Sequence, residues 1–139
     1  MSEHSHQLAA ILFADIVGYT AMMQEDENAS VKKINRFRES VELISRELNG
    51  KIIQYYGDGS LLLFNSSTDA VEFAKLLQED LSESEAIPVR IGIHMGDVLI
   101  QGGNVFGDVV NISSRIQAMA PPGGIYISEV VYRNIANKK

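Results

Sequence analysis

Apolar strand-like runs alternating with amphipathic helical stretches, and two strand pairs joined through glycine turns, predict an α+β fold. The expected architecture is a ferredoxin-like palm with antiparallel hairpins and helices on one face. The 139 residues, 45% of them hydrophobic, suffice for one core, so residues 1–139 are read as a single domain. A doubly wound parallel sheet ranks second, because it needs helical crossovers where this chain has tight turns.

Residues 9–14 are an apolar run too short for a helix; they read as a buried strand ending at Asp15. Val17-Gly18-Tyr19-Thr20 then turns the chain into a helical region. From Ser30, Val31, Ile34, Phe37, Val41, Ile44 and Leu48 recur at spacings of three and four, which marks a long amphipathic helix stopped at Asn49-Gly50. Residues 51–56 and 60–64 read as strands joined through Gly57-Asp58-Gly59, so the hairpin tip carries Asp58. Ser66-Ser67-Thr68-Asp69 supplies capping chemistry for a helix marked by Ala70, Val71, Ala74, Leu77 and Leu81. After an acidic loop at 82–85, residues 89–95 and 98–101 read as a second hairpin turning at Gly96-Asp97 and broken by Gly102-Gly103. Residues 108–119 form a third helix, Pro121-Pro122-Gly123-Gly124 ends it, 125–128 is a short strand and 129–136 a final helical turn.

Composition narrows the function classes. Twelve Lys and Arg against eighteen Asp and Glu give 12 − 18 = −6, which disfavours nucleic-acid binding, since phosphate-backbone affinity is built from clustered cations. The absence of cysteine removes disulfides and thiolate metal sites. No apolar stretch approaches the roughly 20 residues of a membrane span, and residues 1–7 lack the pattern of a signal peptide. A cytoplasmic domain without membrane contact is expected.

Asp15 ends a short apolar strand ahead of a glycine turn at Gly18, and Asp58 joins two strands between Gly57 and Gly59, which aims both carboxylates at one edge of a sheet. Oxygen donors of this kind suit magnesium, which is usually held by one or two carboxylates plus substrate phosphates. Taken singly, each aspartate also serves as a turn former or helix cap. Behind Asp15, Gly18, Tyr19 and Thr20 open a helix whose unsatisfied N–H groups attract phosphate. No Gly-x-x-x-x-Gly-Lys-Ser/Thr occurs, which disfavours a P-loop hydrolase. Asn111 and Arg115, four apart on a helix, share one face: an amide able to orient a sugar oxygen beside a fork able to stabilise charge on phosphorus. The same pair also reads as ordinary solvent-facing helix surface. His94, Asp97 and Asp108 are assigned structural roles, the two aspartates as turn and helix-start residues.

The ordered set Phe13-Ala-Asp-Ile-Val-Gly-Tyr-Thr20, Gly57-Asp58-Gly59, Val89-Arg-Ile-Gly-Ile-His-Met-Gly-Asp97, Gly107-Asp-Val-Val-Asn-Ile-Ser-Ser-Arg115 and Pro122-Gly-Gly-Ile-Tyr-Ile-Ser-Glu129 resembles the class III nucleotidyl cyclase family, the adenylyl and guanylyl cyclase catalytic domains. The resemblance runs from about residue 9 to residue 132. It implies the class III cyclase fold and conversion of a nucleoside triphosphate to its 3′,5′-cyclic nucleotide and pyrophosphate, for second-messenger signalling. Asp15, Asp58 and the Ile16 carbonyl would hold two divalent cations, Mg2+ or Mn2+. Gly18, Tyr19, Thr20 and Arg90 would contact the triphosphate, Asn111 would orient the ribose and Arg115 would neutralise the transition state. Family members work as head-to-tail dimers with shared active sites, so a homodimer is implied. A regulatory domain or partner outside the chain is implied as well.

Two departures bear on substrate. At the base-reading positions Gln54 replaces the Lys of adenylyl or Glu of guanylyl enzymes, and Asn104 replaces the usual Asp, Thr or Cys. Both are primary amides able to donate and accept, so ATP or GTP fits; the compact form favours ATP. The family's C-terminal strands with a phosphate-binding lysine are expected to be lacking, and neither Lys138 nor Lys139 is assigned that role. Alternatives are a guanylyl or dual-specificity cyclase and a non-catalytic nucleotide-binding or dimerisation module. Tyr56-Gly-Asp-Gly-Ser60 does not supply the turn that a diguanylate cyclase requires.

Overall fold

The computed structural model describes residues 4–83 and 85–136. Its strands are β1 (His4–Ile16), β2 (Lys51–Tyr56), β3 (Gly59–Phe64), β4 (Val89–Gln101), β5 (Asn104–Phe106) and β6 (Ile125–Ile127). Its helices are α1 (Tyr19–Glu25), α2 (Glu27–Glu47), α3 (Ser67–Leu81), α4 (Asp108–Met119) and α5 (Glu129–Ala136). The sheet order is β2-β3-β1-β4-β5, antiparallel throughout, with β6 added parallel to the first part of β4. The expected α+β palm is the observed fold.

β1 is central and covered on both faces, which is why its sequence is a continuous apolar run rather than an alternation. Ala10, Leu12, Ala14 and Ile16 face a core completed by Phe37 and Val41 of α2, Phe73, Leu77 and Leu81 of α3, and Val131 of α5. Ala9 and Ile11 face the other way, into a smaller cluster with Leu61, Leu63, Val98, Val105 and Val109. That second face carries α4, so the helices do not all share one side. α4 presents Val109, Ser113 and Gln117, at successive spacings of four, to the sheet. It lies directly on β4 because the strand offers glycines there. A Cβ on Gly92 would overlap the backbone of Gln117, and one on Gly96 would stand 2.6 Å from Val109 Cγ2.

The caps follow the sequence chemistry. Ser66 Oγ accepts from the Asp69 amide at 3.1 Å to open α3, and the α2 stop coincides with Asn49 in the left-handed region at φ 57°. Other expectations need correction. The long helix starts at Glu27 rather than Ser30, because Asp26 leaves the helical region and its side chain caps the Ala29 amide at 3.1 Å. Residues 19–25 are a separate short helix. β4 is unbroken: Gly96 and Asp97 pair with Ala9 and Leu8 of β1, which extends back to His4, so neither is a turn residue. The chain reverses instead at Gly102-Gly103, whose φ values of 59° and 82° suit a two-residue hairpin into β5. Beyond Ile127, Ser128 caps a two-turn α5 through the Val131 amide at 3.3 Å.

Close docking of α4 has a measurable consequence. Gly92→Ala is expected to lower the unfolding free energy by about 2–3 kcal/mol through overpacking against Gln117. A urea midpoint equal to that of the parent would contradict this packing.

Candidate active site

Asp15 is one residue from the end of β1, opposite Gly59 of β3 and Arg90 of β4. The turn before β3 is tied to it by backbone: the Ile16 amide donates to the Asp58 carbonyl at 3.0 Å. Gly57 adopts φ 53° in that turn, and Gly59 leaves no room for a Cβ, which would meet the Ala14 carbonyl at 2.9 Å. Strand pairing therefore brings the two predicted carboxylates to one sheet edge, though they are 43 positions apart in the chain (58 − 15).

Their environment is electrostatically tense. The Asp15 carboxyl is pushed above its ordinary 3.8, first by burial; Arg90 opposes the shift and the charge of Asp58 adds to it. Arg90 Nε stands 3.5 Å from Asp15 Oδ1, an ionic contact, while one terminal guanidinium nitrogen donates to the Ala118 carbonyl at 3.1 Å. Gln117 Nε2 donates to the same Asp15 oxygen at 2.6 Å. Beneath lies Tyr56, its ring edge-on to Phe13 at 5.8 Å. Burial, then the Asp15 and Asp58 charges, raise its phenol far above the usual range, so it stays protonated.

The two hard carboxylates are oxygen donors suited to a divalent cation, while the Arg90 guanidinium, a cation with no lone pair to give, is placed to meet anionic oxygens of a ligand instead. Among the described residues no group of three or more His, Cys, Asp and Glu side chains could hold a metal. A cation here would therefore draw on Asp15, Asp58, backbone oxygen such as that of Ile16, and the oxygens of a ligand. Next to it, Gly18 takes the left-handed conformation at φ 72° and caps α1 without a side-chain bond. Thr20 is exposed and Tyr19 packs partly on the main core.

The remaining predicted residues do not converge on that edge. Asn111 and Arg115 are both exposed, on one face of α4 as expected. Arg115 is two positions before Gln117, a rotation of about 200° about the helix, so it faces away from the carboxylate that Gln117 touches. Gln54 is exposed on β2 and Asn104 on β5, the two opposite edges of the sheet path. Four strand spacings, roughly 19 Å, separate them across the sheet, and the register adds an offset from Gly92 to Gln101 along β4, roughly 30 Å. One chain therefore presents these residues in separated groups.

Of the residues given structural roles, His94 Nδ1 bonds Ser128 Oγ at 2.8 Å, and burial lowers its pKa. Asp108 is the first residue of α4, after Gly107. Asp97 lies within β4 and is exposed. Lys138 and Lys139 fall outside the described residues. Sequence reasoning missed Gln117. Its signal was a polar residue on the Val109, Ser113, Gln117 stripe that faces the sheet.

The whole chain, residues 1–139, matches the family described as "Adenylate and Guanylate cyclase catalytic domain". It is 38% identical over 137 residues to a putative adenylate cyclase 3 of Rhizobium meliloti, covering 93% of this chain and 23% of that protein. An adenylate cyclase of Streptomyces coelicolor is 32% identical over 123 residues, 85% of this chain and 32% of that one. The chain thus spans about a quarter to a third of these relatives. A crystal structure of an adenylate/guanylate cyclase/hydrolase from Silicibacter pomeroyi superposes with a TM-score of 0.89 at 30% identity, covering 98% of this chain and 84% of the other.

The raised Asp15 pKa predicts a pH effect with a definite sign. Folded Asp15 holds its proton more tightly than unfolded Asp15, so its contribution to stability falls as pH rises from 3.8 through the raised value. Without divalent cations, the parent is expected to lose stability relative to Asp15→Asn as pH rises above 3.8. Urea midpoints of the two proteins whose difference stays flat or reverses would contradict the burial argument.

Proposed function

The chain belongs to the adenylate and guanylate cyclase catalytic domain family, and on that premise we propose that it converts a nucleoside triphosphate, ATP in preference to GTP, into the 3′,5′-cyclic nucleotide and pyrophosphate. The 3′-oxygen forms a bond to the α-phosphorus, the bond from that phosphorus to the β-bridging oxygen breaks, and the 3′-hydroxyl proton passes to solvent or to the leaving pyrophosphate. The observation that carries this reading is the pairing of Asp15 and Asp58 at one sheet edge through the Ile16 to Asp58 backbone bond.

Family members generally depend on divalent metal. Two such ions, Mg2+ or Mn2+, held by Asp15, Asp58 and the Ile16 carbonyl, would supply Lewis-acid stabilisation of the attacking and leaving oxygens. The chain's own groups do the rest. Gly18, Tyr19 and Thr20 offer backbone N–H groups to triphosphate oxygens. Arg90, tethered to Asp15 and the Ala118 carbonyl, adds a cation beside them. Asn111 orients the ribose, and the Arg115 fork meets charge developing at the α-phosphorus.

Asn111 and Arg115 face away from their own Asp15, so they serve the cleft of a second copy. A two-fold homodimer would then hold two equivalent sites, each with carboxylates from one protomer and the amide and guanidinium from the other. The same arrangement lets Gln54 of one protomer and Asn104 of the other reach one base, across the sheet width that separates them within a chain. Two amides that donate and accept discriminate weakly, because neither base leaves them unpaired. GTP is therefore expected to be accepted as a second substrate.

Product analysis with ATP and with GTP, in Mg2+ and in Mn2+, across protein concentration tests the reading. Cyclic nucleotide whose specific activity rises with concentration is expected. Nucleotide binding without cyclic product would favour a non-catalytic module. Arg115→Ala is expected to lower turnover by roughly 10²–10³ with little change in KM, as for loss of a transition-state donor; near-parental turnover would remove Arg115 from the role given it.

A further inference from the structure

We propose that Gln117 is a positioning residue: its buried amide holds the Asp15 carboxylate for metal and ties it to the helix that carries Asn111 and Arg115. The proposal rests on the reading of Asp15 as a metal ligand. Gln117 is 5% exposed, an uncommon state for a polar side chain on a sheet-facing helix stripe. Its Nε2 donates to Asp15 Oδ1 at 2.6 Å across 102 residues of sequence. Only a glycine at 92 lets the Gln117 backbone lie that close to β4. The next residue continues the contact, since the Ala118 carbonyl accepts from Arg90, whose Nε faces the same Asp15 oxygen. The carboxylate is thus gripped from the end of α4 by a donor and, through Arg90, by a cation.

Such a grip does two things. It takes one lone pair of Oδ1 and fixes the carboxyl rotation, so the remaining oxygen sites point in a set direction; partners of this kind tune metal ligands without touching the metal. It also couples two reaction centres. Gln117 and Arg115 sit on opposite sides of α4, two residues apart, so in the proposed homodimer one helix end settles the metal carboxylate of one cleft while its outer face enters the other.

Gln117→Met keeps volume and removes the donor. Mn2+ titration without nucleotide, followed by the electron paramagnetic resonance of free Mn2+, is expected to show about a tenfold weaker site in this variant and no specific site in Asp15→Asn. Retained parental affinity in Gln117→Met, with binding lost in Asp15→Asn, overturns the positioning role alone. Parental affinity in both overturns the metal reading with it. Should Gln117→Met fail to fold, the parent protein answers: the Gln117 side-chain NH2 resonance, assigned by nuclear magnetic resonance, is expected to shift on Mg2+ addition with the dissociation constant of the metal site. A resonance unmoved by Mg2+ overturns the proposal.

Discussion

The pairing of β1 with β3 on one side and β4 on the other is the constraint on which the rest of the molecule depends. It aligns Asp15 with Gly59 and Arg90 in one row. Because side chains alternate along a strand, a slip of one residue would turn Ala10, Leu12, Ala14 and Ile16 out of the main core and send Asp15 to the other face. Burial of β1 on both faces makes such a slip costly, so the core that stabilises the sheet also places the carboxylate. The Ile16 to Asp58 backbone bond extends this order by one residue, into the turn that carries the second carboxylate.

The site itself works against stability. Asp15 is partly buried beside another carboxylate, and its raised pKa measures the tension. Arg90 and Gln117 relieve it without removing it, as expected where local electrostatics serve ligand binding rather than the fold. The larger core, on the face of the sheet opposite the site, supplies the compensation: Phe37, Phe64, Phe73, Leu77 and Leu81 are wholly buried there. The other face carries α4, held close by Gly92 and Gly96, and leaves Asn111 and Arg115 outward.

Much of this was legible in the chain because it is encoded locally. Ser66 before α3, Asn49-Gly50 after α2 and Gly57-Asp58-Gly59 between β2 and β3 act within a few residues of themselves. The predicted placement of Asp15 and Asp58 at one edge followed from strand ends and turns alone. What stayed hidden depends on partners distant in sequence. Gly96-Asp97 has the composition of a turn, yet β1 reaches back to His4 and supplies a pairing partner that keeps β4 extended. The glycine there answers to Val109 of α4, which no local rule reveals. Gln117 was passed over for the same reason: its meaning lies in a carboxylate 102 positions away. The opposed orientations of Arg115 and Gln117 emerge only once α4 has a sheet to face.

The outward placement of Asn111 and Arg115, opposite the face that meets Asp15, leads to the central proposal that each reaction centre is assembled from two copies. Complementation tests it most directly: mix Asp15→Asn with Arg115→Ala, each nearly inactive alone, and measure cyclic nucleotide formation. Random exchange puts half of the dimers in the mixed state, each with one intact cleft and one doubly impaired, so activity should recover to about a quarter of the parental value. A mixture no more active than its components, with subunit exchange demonstrated, would contradict the shared site and place all catalytic groups within a single chain.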